Sequence, residues 1–152
     1  MVTGQKCETA YHGMDRCLAE TEEPENAISF STLFSGTREH PEKRASITEL
    51  GIDNFTPEHF LYGVLNGMAD ELKKMYEEGI KAVPERPKQL IGSGNGLRKN
   101  KELQKIFEKM FSMQLKIPVH REEAAFGSAL FALTSCGICK SIQDAQKMIK
   151  YK

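Results

Sequence analysis

The segment from Gln89 to Asn100, QLIGSGNGLRKN, constrains this chain more than any other. A short apolar run (Leu90, Ile91) enters three alternating glycines (Gly92, Gly94, Gly96), and Leu103, Ile106, Phe107 and Met110 then recur at helical spacing. The pattern predicts a strand, a glycine loop and a helix. Glycines there let the backbone take positive φ and admit a ligand where a Cβ would block it. The helix start offers unpaired N–H groups to an anion. A nucleotide suits this arrangement; the alternative is a tight strand-to-helix turn with no ligand, since glycine marks turns generally.

Neither common nucleotide fingerprint fits. A Walker A loop ends in Gly-Lys-Ser/Thr, whereas Gly96 is followed by Leu97 and Arg98. A dinucleotide fingerprint needs a third glycine at position 97 and an acidic residue closing the next strand, which here ends in Val119 and His120. A dinucleotide-binding oxidoreductase module is therefore the weakest of the readings.

The rest of the chain supplies an α/β order. Ile28, Phe30, Thr32 and Phe34 alternate and predict a strand with one buried face. Thr56 is a natural N-cap, with Pro57 at the first helical position and Glu58 in the first turn. Phe60, Leu61, Val64, Leu65, Met68, Leu72, Met75 and Tyr76 then form one stripe, expected to pack in the core, that stops before Gly79. Val83-Pro84-Glu85-Arg86-Pro87 predicts a surface loop. Leu115, Ile117 and Val119 predict a second strand, with Pro118 at its edge or end. A last helix is expected from about Ser141, with Ser141 and Asp144 as a capping pair and Ile142, Ala145, Met148 and Ile149 facing inward.

Between these lies Glu122-Glu123-Ala124-Ala125-Phe126-Gly127-Ser128-Ala129-Leu130, rich in small residues that let a helix approach another backbone closely. A glycine loop ending in Asn, then a strand, then E-x-A-A-x-G-x-A-L, resembles the C-terminal domain of the FGGY carbohydrate kinases. Upstream, Leu33-Phe34-Ser35-Gly36-Thr37-Arg38-Glu39-His40-Pro41 followed by Arg44-Ala45-Ser46-Ile47-Thr48 resembles the segment that family places before its first long C-terminal helix. The Ala-Ser-Ile-Thr wording is most similar to the family's sedoheptulokinase branch.

The resemblance runs from about Ile28 to the C-terminus. It implies an α/β fold of the ribonuclease H-like, actin type, with strands flanked by helices and ATP or ADP, with Mg²⁺, as cofactor. It implies that Gly92 to Gly96 back the phosphate and ribose and that the Asn100 amide meets the adenine, which it can do as donor and acceptor. Asn95 is either a further contact or a turn residue tolerant of left-handed geometry. Arg98 and Lys99 are candidates for a phosphate, but neighbours on a helix face different ways, so at most one reaches it.

Such a kinase is about three times longer, whereas 152 residues suits one domain by the usual length relation. Residues 28–152 are thus expected to be an incomplete nucleotide-binding domain, inactive alone. The family's catalytic aspartate has no match, because Asp15, Asp53, Asp70 and Asp144 lie outside the motifs. Sugar would bind only with the missing N-terminal half, and an uncovered sheet edge would favour self-association. His40, next to Pro41, is expected to be a loop residue, and Glu122 and Glu123 to stabilise a helix start.

Residues 1–27 fall outside the resemblance and are expected to form a poorly ordered arm, with Glu20, Glu22, Glu23 and Glu25 around Pro24 and little to bury. Cys7 and Cys17 are not spaced as zinc ligands. Cys136 and Cys139 have redox-motif spacing but follow a helix instead of opening one, which favours reduced, structural thiols. The 21 basic and 21 acidic residues balance, so no net field draws the chain to nucleic acid or an anionic membrane. The N-terminus has no apolar leader core and no run suits a membrane span, so a cytoplasmic protein is expected.

Overall fold

The computed structural model describes residues 7–152. Its order is α1 (Cys7–Glu20), β1 (Ser29–Ser31), β2 (Ser46–Thr48), α2 (Pro57–Gly79), a 3₁₀ turn (Ile80–Ala82), β3 (Leu90–Ile91), α3 (Asn95–Lys99), α4 (Lys101–Phe111), β4 (Leu115–Lys116), α5 (Glu123–Ser135) and α6 (Ile142–Gln146). Strands β1 and β2 pair antiparallel, with Phe30 opposite Ile47. Strands β3 and β4 pair parallel, with Leu90 opposite Leu115 and Ile91 opposite Lys116. The chain end lies antiparallel beyond β4, where Val119 N–H donates to Lys150 O and Lys152 N–H to Ile117 O.

Helix α2 is the spine. It begins where the sequence predicts, with Thr56 extended at the N-cap and Pro57 starting the helix. Thr56 does not cap the backbone, however; its Oγ1 lies 2.8 Å from His59 Nδ1. The buried positions are Tyr62, Gly63, Gly67 and Ala69. The expected stripe is therefore only partly core: Met68, Leu72 and Met75 are exposed. The reason is backbone proximity. Gly63 and Gly67 lie against β1, and a Cβ at Gly67 would overlap the Phe30 carbonyl oxygen. Glu71, one turn on, accepts from Thr32 N–H at 2.7 Å and Thr32 Oγ1 at 2.9 Å, fastening the end of β1.

The other side of α2 meets α1 and α4. Leu18, Tyr62, Ala69, Leu103, Ile106, Phe107 and Phe111 form the central cluster, joined by half-buried Leu90 and Leu97. Phe107 and Phe111 stack with centroids 5.6 Å apart, one helical turn from each other.

Within the expected N-terminal arm, the described residues 7–27 are more ordered than the composition suggests. Helix α1 forms, Leu18 is buried, and the Tyr62 hydroxyl donates to Thr21 O at 2.8 Å, with Leu18 O at 3.3 Å. Helix ends leave carbonyls unpaired, and a buried phenol supplies the missing donor. The arm has something to bury after all, and the partner is on α2. Cys7 lies at its start; Met1 to Lys6 fall outside the described residues.

Elsewhere the first strand is shorter than its alternation, and Phe34, expected on the buried face, is 66% exposed. Residues 83–87 are exposed, as a surface loop should be. Ser141 caps α6, its Oγ accepting from Asp144 N–H, but the helix ends at Gln146 and Met148 is exposed. The small residues of α5 also depart from expectation: Ala124, Ala125, Ser128, Ala129 and Ala132 are exposed. Cys136 is an exposed free thiol and Cys139 a half-buried one. No helix among the described residues is long and apolar enough to cross a membrane.

Candidate functional site

Chain direction in a parallel pair puts the C-terminal ends of β3 and β4 side by side, and in open α/β sheets ligands bind outside such ends. The glycine loop leaves β3 there, and His120 and the start of α5 follow β4. The three glycines have different jobs. Gly92 is buried, its N–H donates to Lys116 O at 3.0 Å, and a Cβ on it would sit 3.0 Å from Leu115 Cδ1, so it serves strand packing. Gly94 has φ +91 and ψ 158 as the N-cap of α3, a conformation open essentially to glycine alone. A Cβ at Gly94 or Gly96 would meet nothing within 4 Å, so this part of the loop faces open space.

The loop is followed by two helices where the sequence suggested one. Asn95 opens α3 and is exposed. Leu97, the residue that breaks the dinucleotide fingerprint, packs against the central cluster and anchors the loop. Asn100 ends α3 and caps α4, its Oδ1 accepting from Leu103 N–H at 2.9 Å. The amide expected to face adenine thus has its oxygen committed to the helix and its Nδ2 remaining.

Arg98 is not free to meet a phosphate. Its Nη1 donates to Pro118 O at 2.8 Å, its Nη2 to His120 O at 2.7 Å, and Nη2 also pairs with the Glu123 carboxylate. Lys99 is exposed and makes no ion pair among the described residues, so it is the basic side chain of α3 still available. Glu123 does more than face a helix dipole. Its own backbone N–H, the Arg98 guanidinium and the Gly94 amide hold its carboxyl below the usual carboxylate range, against the opposing effect of desolvation. His120, unassigned from sequence, stacks on Phe126 with centroids 3.7 Å apart. Its Nε2 and the Arg98 Nε are buried without a protein partner.

Beside these groups is a cavity of about 460 Å³, lined by Ser93, His120, Glu123, Phe126, Gln146 and Tyr151 among others. That volume lies within the range of small-molecule sites, as does an apolar wall with a few polar groups. Spacing alone could not reveal it, because its walls come from β3, α5 and the chain end. The aspartates stand elsewhere in local contacts: Asp53 accepts from Asn26, Asp70 pairs with Lys74, and Asp144 pairs with Lys147. His40 lies in an exposed turn beside Glu42, as expected of a loop residue. No cluster of metal-ligating side chains occurs among the described residues.

No family model matches the chain, and no curated protein matches it. Solved structures do. The xylulose kinase of Rhodospirillum rubrum superposes with a TM-score of 0.77 at 17% identity, over 97% of this chain and 30% of the kinase. The gluconate kinase of Lactobacillus acidophilus gives 0.80 at 12% identity, over 98% of this chain and 30% of the other. The Plasmodium falciparum glycerol kinase with ADP gives 0.72 at 20% identity, over 90% and 27%. The fold is thereby shown: an α/β, partial ribonuclease H-like domain of the actin type. The chain spans about 30% of the length of the xylulose kinase.

Proposed function

We propose that this chain is the nucleotide-binding, C-terminal portion of an ATP-dependent carbohydrate kinase of the FGGY type. The parent reaction is transfer of the ATP γ-phosphoryl group to a primary hydroxyl, of a ketose with sedoheptulose the leading candidate and xylulose behind it, or else of the polyol glycerol. The observation that carries the reading is the open face of Gly94 and Gly96 at the C-terminal end of a parallel strand pair, in a fold shared with sugar and polyol kinases.

On this reading the Gly94–Gly96 backbone receives phosphate and ribose, Asn100 Nδ2 and Asn95 meet the base, and Gly92 acts through packing. Mg²⁺ would arrive on the ATP phosphates. ATP, when bound, supplies the phosphoryl group; phosphoryl transfer depends mostly on positioning and charge stabilisation. A base for the sugar hydroxyl and the sugar-reading residues would come from outside this chain, which alone is inactive. The open edge of β3 and the exposed faces of α2 and α5 suit coverage by the rest of a longer cytoplasmic kinase, or by self-association.

The test is a thermal melt of the chain with and without Mg·ADP, with NADH as control, because a ligand that binds only the folded state raises the midpoint. A shift with ADP alone supports the kinase reading. A shift with NADH alone replaces it with a dinucleotide module.

A further inference from the structure

Gly94 takes a conformation that glycine adopts freely, with open space where a Cβ would stand, so what fixes the loop is the set of contacts behind it. Behind it Gly94 O accepts from Arg98 N–H at 3.0 Å, and the Gly94 amide faces the Glu123 carboxylate that Arg98 holds. One guanidinium, with its side chain only 11% exposed, spans the Pro118 carbonyl, the His120 carbonyl and the Glu123 carboxylate. It thereby joins α3 to the segment after β4 and to the first turn of α5. The rigid fork of arginine can satisfy three acceptors at once, which the single ammonium of lysine cannot do in the same geometry. On the opposite side Leu97 is held by the central cluster, and Gln104 Nε2 donates to Leu97 O at 2.6 Å.

We propose that Arg98 and Glu123 form a latch that positions the Gly94–Gly96 backbone for its ligand, making Arg98 a positioning residue and not a phosphate ligand. The latch rests on the nucleotide reading for the ligand's identity, but not for its own existence. Its removal leaves the strands and the central cluster intact while freeing the loop. Helix α5 enters the site through this contact, since Glu123 is its first residue and Phe126 carries the His120 ring.

The test compares the full chain with Arg98→Met, Arg98→Lys, Glu123→Gln and the control Lys99→Met, by amide hydrogen exchange and by calorimetric titration with Mg·ADP. In Arg98→Met, exchange at Gly94 to Leu97 should rise about tenfold and ADP affinity fall about tenfold, the loss expected for charged hydrogen bonds. Exchange in α4 should be unchanged. Arg98→Lys should recover only part of both, and Lys99→Met should leave loop exchange unaltered. Glu123→Gln keeps the shape while removing the charge, and decides the matter should Arg98→Met fail to fold. Loop exchange and ADP affinity both unchanged in Arg98→Met, or in Glu123→Gln in that event, would overturn the latch. A wild-type chain that does not bind Mg·ADP would sink the nucleotide reading, and the exchange rates would still decide the latch.

Discussion

Helices α4 and α5 are of similar length and both apolar in part, yet they end in opposite situations. Helix α4 buries Leu103, Ile106, Phe107 and Phe111, while α5 buries only Leu130. In α4 the apolar residues recur at helical spacing and the remaining positions are charged or polar, so one face meets α2 and the other meets water. In α5, small and apolar residues occupy all sides, the pattern of a helix enclosed on every side. The described chain covers α5 only where it meets α6 and the cavity wall. Amphipathic pattern thus distinguishes a helix with one buried face from one whose apolar residues stay exposed.

That contrast breaks most visibly at Phe107. Phe107→Ala should cost about 3–5 kcal/mol in chemical denaturation, because the stack on Phe111 and the contacts with α2 vanish together. Gly67→Ala should come next, at about 1–3 kcal/mol, since the new methyl forces β1 from α2. Tyr62→Phe should cost about 1 kcal/mol by leaving the Thr21 carbonyl without its donor, and should loosen α1 in hydrogen exchange before the rest. A stability change near zero there would mean that α1 is not part of the core.

On α5 the expected effect is small. Ala125→Ser or Ala129→Ser, on the exposed face, should change stability by no more than about 0.5 kcal/mol. A large loss would show that this face is already covered in solution. The smallest effect concerns acid. Glu23 accepts from Lys109 Nζ and Asn66 Nδ2, contacts that hold its carboxyl below the ordinary 4.5 despite partial desolvation. A carboxyl depressed in the folded state adds stability above its unfolded value and loses it as pH falls through the folded one. Glu23→Gln should therefore flatten the fall in midpoint below about pH 4.5, slightly, because the pair is near the surface.

The sequence made visible what local chemistry determines. The start of α2, the strand–glycine loop–helix unit and the Ser141 cap follow from neighbours within a few residues. Partners distant in sequence were not visible. Tyr62 finds the end of α1 across 41 residues, and Arg98 finds Glu123 across 25. Leu97 reads as a defect in a glycine motif until it is seen to hold the loop on the core. Asn100 was assigned from resemblance alone, and its role as the cap of α4 was hidden by the break between α3 and α4.

The most direct test of a nucleotide at the glycine loop is a titration of the ¹⁵N-labelled chain with Mg·ADP, followed through its backbone amide resonances. The amides of Gly94, Asn95 and Gly96 and the Asn100 side chain should shift saturably, while Phe107 and Phe111 in the core stay still. Saturable shifts elsewhere with the loop unmoved, or no shifts at all, would contradict the assignment of this loop as a nucleotide site.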